Sequence, residues 1–179
     1  MTVPLDRAAR DAAVARTIPL TLGLVAIVDA EDYAELSQFK WCAVRDHRSY
    51  YARRSSKQQP DGRRFTIRMH KEILGAPPEE GMITDHINGD GLDNRRCNLR
   101  FVTHAQNMQN RRDKRGTSLY RGVSASKGKW VAVLCHNGVR TRLGTFADEI
   151  DAARAWDEAA SAAYGEYARL NLPHERVAA

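Results

Sequence analysis

Thr84-Asp-His-Ile-Asn-Gly-Asp-Gly-Leu-Asp-Asn-Arg-Arg-Cys-Asn-Leu-Arg100, continued by Phe101-Val-Thr-His-Ala-Gln-Asn107, is the most sharply punctuated part of the chain. Met82 to Ile87 has the apolar content of a short strand, and Asn88-Gly-Asp-Gly91 is a strong turn signal. Asp93 to Arg96 extends the loop, and Leu99 to Val102 reads as a second strand. Thr103 then opens a helix with Gln106 three residues later, the spacing of a capping box. The expectation is a β-loop-β-α unit.

Upstream, Phe65, Ile67 and Met69 alternate with Thr66, Arg68 and His70, the period of a half-buried strand. A short helix is expected over Met69 to Leu74, stopped by Gly75 and Pro77-Pro78. Ser55 to Arg64 reads as a polar turn. Trp41 and Tyr50 to Arg53 suggest further strand, and Leu22 to Val28 is a β-rich run. Residues 1–16 read as a flexible arm or frayed helix. Downstream, Arg111 to Ser118 is basic and polar. Residues 119–146 show three short strands around Gly128 and Asn137-Gly138. A helix is expected over 148–164, N-capped by Asp148, with Ile150, Ala153, Trp156, Ala160 and Ala163 as its apolar stripe and Gly165 at its end.

These pieces predict an α+β chain. Its parts are an arm (1–16), a ββα core with a β-rich lead-in (17–112), a linker (113–118), a small sheet-and-helix domain (119–172) and a tail (173–179). The chain has 179 residues and a formal charge of +6. Residues 44–115 hold 16 basic and 9 acidic side chains, so the positive charge is concentrated there. A phosphate backbone favours such a surface. Cys42, Cys97 and Cys135 form no CxxC pair, which argues against a zinc knuckle, and so sparse and odd a set fits a reducing cytoplasm. The longest apolar run, Leu22 to Val28, is far too short to span a bilayer, and the N-terminus lacks the apolar core of a secretory signal.

The chemistry lies in the quoted stretch. Phosphodiester hydrolysis needs a divalent cation to neutralise the scissile phosphate and leaving oxygen, and a base for the attacking water. Histidine is best poised for that base near neutral pH. Asp85 and His86 are adjacent on a strand and point to opposite faces, so Asp85 reaches a metal only where the strand ends or twists. Asn107, about one turn into the helix, offers an amide oxygen. A carboxylate with an amide oxygen suits a hard ion such as magnesium. His104 is a rival ligand, expected on a different side of that helix. Asn98 is placed to bond the backbone or the imidazole.

The segment resembles the HNH nucleases, in the ββα-metal form of phage and intron homing endonucleases. The resemblance rests on Asp85-His86, Asp93-Asn94-Arg95, Asn98-Leu99-Arg100 and Val102-Thr103 through Asn107. It implies that His86 is the general base, that Asp85 and Asn107 hold the metal (Mg²⁺, with Mn²⁺ as an alternative), and that Asn98 braces the loop. Asn107 stands where the family's name has histidine, as in many homing-type members. Arg95, Arg96 and Arg100, with Arg111 and Arg112 after the helix, are candidate phosphate contacts.

A second resemblance covers about fifty residues. Tyr120-Arg-Gly-Val123, Gly128-Lys-Trp130, Arg142-Leu-Gly-Thr-Phe146, Asp151-Ala-Ala-Arg-Ala-Trp-Asp157 and Leu170-Asn171 resemble the ethylene-response-factor (Apetala) DNA-binding domain. That fold is a three-stranded sheet on one helix, reading the major groove from the sheet. By resemblance, Arg121, Trp130, Arg140 and Arg142 contact DNA, and Lys127 and Lys129 reach phosphates. Trp156 reads as core, and Trp130 as core or contact. Ser124, Val133, Cys135 and Arg142 depart from the usual plant residues, so the plant target sequence does not transfer. The expected partner is double-stranded DNA, with no membrane, bound by a monomer in the cytoplasm. The leading expectation is an endonuclease, and the alternative is a DNA-binding regulator built on an HNH scaffold.

Overall fold

A computed structural model describes residues 15–46, 49–110 and 118–173. The expected arm up to residue 14, most of the linker, Arg111 and Arg112, and the last six residues of the tail lie outside the described residues. The chain is α+β, as expected. It forms two compact units, residues 1–104 and 105–179.

The first unit opens with an antiparallel hairpin, β1 (Arg16–Pro19) against β2 (Val25–Val28). Leu22 does not continue a strand from the apolar run. It sits in a turn with φ 64° and Gly23 follows at 69°, which reverses the chain within that run. A helix that the strand-oriented reading did not foresee follows, α1 (Ala30–Leu36). It buries Leu36 and caps the core with Trp41, whose indole N–H donates to the Leu36 carbonyl at 2.8 Å. Three strands form the next sheet, β3 (Cys42–Asp46), β4 (Ser49–Ser55) and β5 (Thr66–Arg68), in that order. Then α2 (Met69–Leu74) ends at Gly75, whose φ of 74° lies in the left-handed region that glycine tolerates. Ile18, Ala26, Val28, Trp41, Ala52, Met69, Ile73 and Leu99 form one core. The lead-in and the β-loop-β unit therefore share a single interior. β6 (Ile83–His86) pairs antiparallel with β7 (Leu99–Val102), placing Asp85 opposite Arg100 and His86 opposite Leu99.

α3 (His104–Gln109) follows β7, and the boundary between the two units falls after its first residue. His104 and Asn107 are three residues apart, about 60° round a helix. They therefore share a face rather than lying on different sides, as the sequence reading had them.

In the second unit β8 (Val123–Ser126), β9 (Lys129–His136) and β10 (Val139–Phe146) form an antiparallel sheet with β9 central. Both hairpins turn on two residues. Lys127-Gly128 and Asn137-Gly138 all have positive φ, the pattern of a type I′ turn. α4 (Glu149–Tyr164) covers one sheet face and buries Ala152, Ala153, Trp156, Asp157, Ala160 and Tyr164. Ile150 is left 44% exposed, contrary to its expected place in the stripe. It lies six residues before Trp156, which at 100° per residue puts it about 120° round the helix from the core-facing line. Asp148 occupies the N-cap position and makes no side-chain cap hydrogen bond.

Gly122 shows why this unit closes as it does. Its φ is +72°, and an added Cβ would lie 2.0 Å from Trp156 Nε1. Only glycine lets the backbone pass under that indole. Asp157 then ties down the C-terminal strap, accepting from the backbone N–H groups of Asn171 and Leu172, both at 2.8 Å. Asn171 in turn clasps Arg121: its Oδ1 accepts from the Arg121 N–H at 2.7 Å, and its Nδ2 donates to the Arg121 carbonyl at 3.2 Å. Glu149 accepts from the Ser118 hydroxyl and the Leu119 N–H. Two of the helix's acids are thus structural staples rather than members of a solvated face.

Candidate active site

The loop between β6 and β7 is built from Asx turns and one bracket. Asn88 Oδ1 accepts from the Asp90 N–H at 2.8 Å, and Asp90 Oδ1 from the Leu92 N–H at 3.0 Å. Short polar side chains that bond the backbone two residues on are what make this sequence turn. Asn98 closes the loop from the far side. It accepts from the Asn88 N–H at 3.0 Å and donates to Asn88 Oδ1 at 3.0 Å and to the Asp93 carbonyl at 2.7 Å. Gly91 lets the loop meet β4, since a Cβ there would lie 2.4 Å from the Tyr50 carbonyl oxygen. β2 holds the loop's far end: the Ile27 N–H donates to Leu92 O and the Ile27 carbonyl accepts from the Asn94 N–H.

His86 ends β6 and is buried, as is Asp85. Its Nε2 lies 3.3 Å from Asn94 Oδ1. Asn94 is fully buried, and its Nδ2 donates to the Leu92 carbonyl at 3.1 Å. A carbonyl accepts only, so the amide nitrogen must face Leu92 and the amide oxygen must face the imidazole. His86 therefore carries its proton on Nε2, and Nδ1 is the basic nitrogen. Burial is the largest influence on the ring and lowers its pKa, against the opposing pull of Asn94 and the nearby Asp85. The balance favours the neutral ring.

Two more rings pack on it. His70 of α2 and Tyr51 of β4 lie with centroids 5.0 and 5.7 Å from that of His86, edge to face. Tyr51 and His70 also meet each other, at 5.9 Å. His70 is itself buried, which lowers its pKa to about 3. The sequence reading treated His70 only as a polar residue in an alternating strand and gave Tyr51 no role. The available signal was a histidine at the start of a short helix with apolar neighbours, which does not name its partner.

The predicted cations near the loop are all engaged by carboxylates. Arg100 Nε donates to Asp85 Oδ2 at 3.1 Å, with both side chains largely buried. Arg95 clasps Asp93 through two nitrogens at 2.8 Å. The resulting salt bridge holds the Asp93 carboxyl low against the opposing effect of burial, which is the largest single influence on it. Arg96 pairs with Asp32 at 2.6 Å and Glu31 at 3.1 Å, and its N–H donates to Asp29 Oδ2 at 2.7 Å. The acidic trio Asp29, Glu31 and Asp32 is thus a seat for Arg96. Asn107 is half-buried on α3, in the second unit.

In the second unit the sheet face away from α4 carries Lys129, Arg140 and Arg142, all exposed, with Arg140 opposite Cys135 and Arg142 opposite Val133 across the ladder. Lys127 is exposed at the β8–β9 turn. Arg142 Nη2 donates to Thr145 Oγ1 at 2.6 Å. Trp130 is on the other face and packs half-buried on the core. Arg121 is half-buried, stacked 5.1 Å above the Trp156 ring and donating to the carbonyls of Met108 and Gln109.

The profile of the HNH endonuclease family matches residues 69–109, which include every loop residue described above. The C-terminal region is similar to plant proteins of the AP2/ERF type. The dehydration-responsive element-binding protein 2C of Arabidopsis thaliana is 54% identical over 57 residues, 30% of this chain and 17% of that protein. The protein of the same series named 2E in Oryza sativa subsp. japonica is 53% identical over 62 residues, 33% of this chain and 20% of that one. Protein PPLZ02 of Lupinus polyphyllus is 45% identical over 58 residues, 31% and 35% of the two chains. This chain therefore spans between about a sixth and a third of the length of these relatives. Among the described residues no helix is long and apolar enough to cross a membrane.

Proposed function

We propose that this chain is a metal-dependent, homing-type HNH endonuclease that hydrolyses phosphodiester bonds in double-stranded DNA, targeted by its C-terminal domain. The observation that carries the reading is His86. It is a buried, neutral imidazole whose tautomer is fixed by Asn94, adjacent to the buried carboxylate of Asp85 at the end of a strand. In the proposed reaction Nδ1 of His86 takes the proton of a water whose oxygen bonds to phosphorus, while the bond to the leaving sugar oxygen breaks. A base that is unprotonated at neutral pH suits that step.

The proposed ligands are oxygen donors of the kind a hard divalent cation takes. Asp85 supplies a buried carboxylate and Asn107 an amide oxygen, with magnesium as the expected ion and manganese as its substitute. When bound, the ion supplies charge neutralisation at the phosphate and leaving oxygen. Arg100 already shares Asp85, so it is the cation that gives way to or helps hold the incoming phosphate. Asn98 holds the loop that carries Asn94 to His86.

Site choice is assigned to the second unit. Two of the relatives reported above are named as element-binding proteins, and Lys127, Lys129, Arg140 and Arg142 present positive charge from the sheet face and its turn. Arg111 and Arg112 are proposed as flanking phosphate contacts, together with Arg95 and Arg96 where DNA draws them from their carboxylates. Arg121 and Trp130 act through support of the fold. A monomer with one active site nicks a single strand.

The names of the relatives favour one second reading, a DNA-binding regulator whose HNH unit is a scaffold. Plasmid conversion separates the two. Wild type with magnesium should convert supercoiled DNA to the nicked form, and EDTA should stop it. His86→Ala should lose about 10²–10⁴-fold in rate while still shifting DNA in a gel. Binding without metal-dependent cutting on any DNA, a substrate selected for tight binding included, would establish the regulator.

A further inference from the structure

The hydrogen bond to Asn94 fixes which nitrogen of His86 holds the proton. It does not by itself fix the ring's rotation. Two packed rings bear on that rotation. His70 meets the ring at an interplanar angle of 88° and Tyr51 at 64°, from two separate elements, α2 and β4. Their mutual contact, at 74°, makes the pair one wall. All three rings are held by the shared core that contains Met69 and Ala52, the immediate chain neighbours of His70 and Tyr51.

We propose that His70, backed by Tyr51, is a positioning residue: its ring sets the orientation of the His86 imidazole and hence the direction of Nδ1. The inference rests on the reading of His86 as the base. The edge-to-face arrangement is the preferred geometry of aromatic pairs and is worth more than area burial alone. A flat ring is what the site needs, and the nitrogens of His70 are secondary. Small errors of aim matter at such a site, since displacement of a reacting group by about 1 Å costs roughly 10²-fold in rate. The rate then divides between two devices, Asn94 for proton placement and the His70–Tyr51 wall for aim.

The test uses the full chain and three variants: His70→Phe, His70→Leu and His70→Gln. Two readouts are taken, the ¹⁵N imidazole spectrum of His86 and the split of kcat from KM on supercoiled plasmid substrate with magnesium. His70→Leu should fold, retain KM, lose about 10- to 100-fold in kcat, and broaden the His86 ring signals as the ring samples more than one orientation. His70→Phe restores the wall, so its spectrum and kcat should lie within about threefold of wild type. If His70→Leu does not fold, His70→Gln is read in the same way, because it too removes the ring. Wild-type His86 signals and kcat in a folded, ring-less variant overturn the inference. So does a phenylalanine variant as impaired as the leucine one. Should wild type cut no DNA at all, the nuclease reading fails, and the spectra alone still decide whether His70 orients His86.

Discussion

Replacing Asn98 by alanine removes the bracket that closes the β6–β7 loop, and its cost can be worked from the contacts. The residue is 6% exposed, and its side chain makes three hydrogen bonds, to the Asn88 N–H, the Asn88 side-chain oxygen and the Asp93 carbonyl. Each is worth about 1 kcal/mol net, and the stranded partners make the loss fall on the high side. The expected destabilisation is about 3 kcal/mol. For a unit of this size that corresponds to a melting shift of about 12–24 °C. The isosteric Asn98→Asp is the sharper perturbation. It keeps an acceptor for Asn88 N–H but aims carboxylate oxygens at two other oxygens, Asn88 Oδ1 and the Asp93 carbonyl. Above pH 5 it should be less stable than the alanine variant. Urea unfolding followed by far-ultraviolet circular dichroism measures both, and plasmid conversion follows the accompanying loss of rate. An alanine variant within about 0.5 kcal/mol of wild type refutes the bracket, as does an aspartate variant more stable than alanine.

Two further outcomes follow from other parts of the fold. His70 has its pKa lowered to about 3 from an ordinary 6.5, so the unfolded chain binds the proton first as pH falls. Stability should be full above about pH 6.5 and decline toward pH 3, by up to about 1.4 kcal/mol per pH unit from this group, with His86 adding in the same direction. Urea midpoints across that window test the slope, which should flatten in His70→Phe and does not if other groups dominate. Gly122→Ala places a methyl group in the Trp156 indole at a left-handed φ. The combined strain and overpacking are worth about 2–5 kcal/mol, and a blue-shifted, native-like tryptophan emission at the wild-type midpoint would contradict that.

The sequence carried local information well. The β6-loop-β7-α3 order, the Gly75 stop and the two-residue turns of the second unit are visible because each is written in adjacent residues. The turn at Leu22 was hidden inside an apolar run, since hydrophobicity does not report a reversal of the chain. α1 was readable in principle from Tyr33 and Leu36, three apart, but lay between stretches read as strand. The least legible features are non-local. Tyr51, His70 and His86 are far apart in sequence and meet only through the shared core. The seats of Arg96 on Asp32 and of Arg100 on Asp85 turn expected DNA contacts into internal ion pairs, and nothing in a run of arginines announces the carboxylate that will claim it.

The two backbone hydrogen bonds of Ile27 set the size of the piece that evolution can move. The recognisable nuclease motif begins at residue 69, yet one end of its loop is stitched to a strand more than forty residues earlier, and Arg96 is anchored to Asp29 beside that strand. A recombination event that carried only the motif to a new host protein would deliver a loop with Leu92 and Asn94 unanchored, and with them the oxygen that sets the proton on His86. The movable cartridge therefore runs from β1 through α3, which keeps both the stitch and Asn107, the proposed metal ligand, and a different second domain is expected to join only downstream of α3.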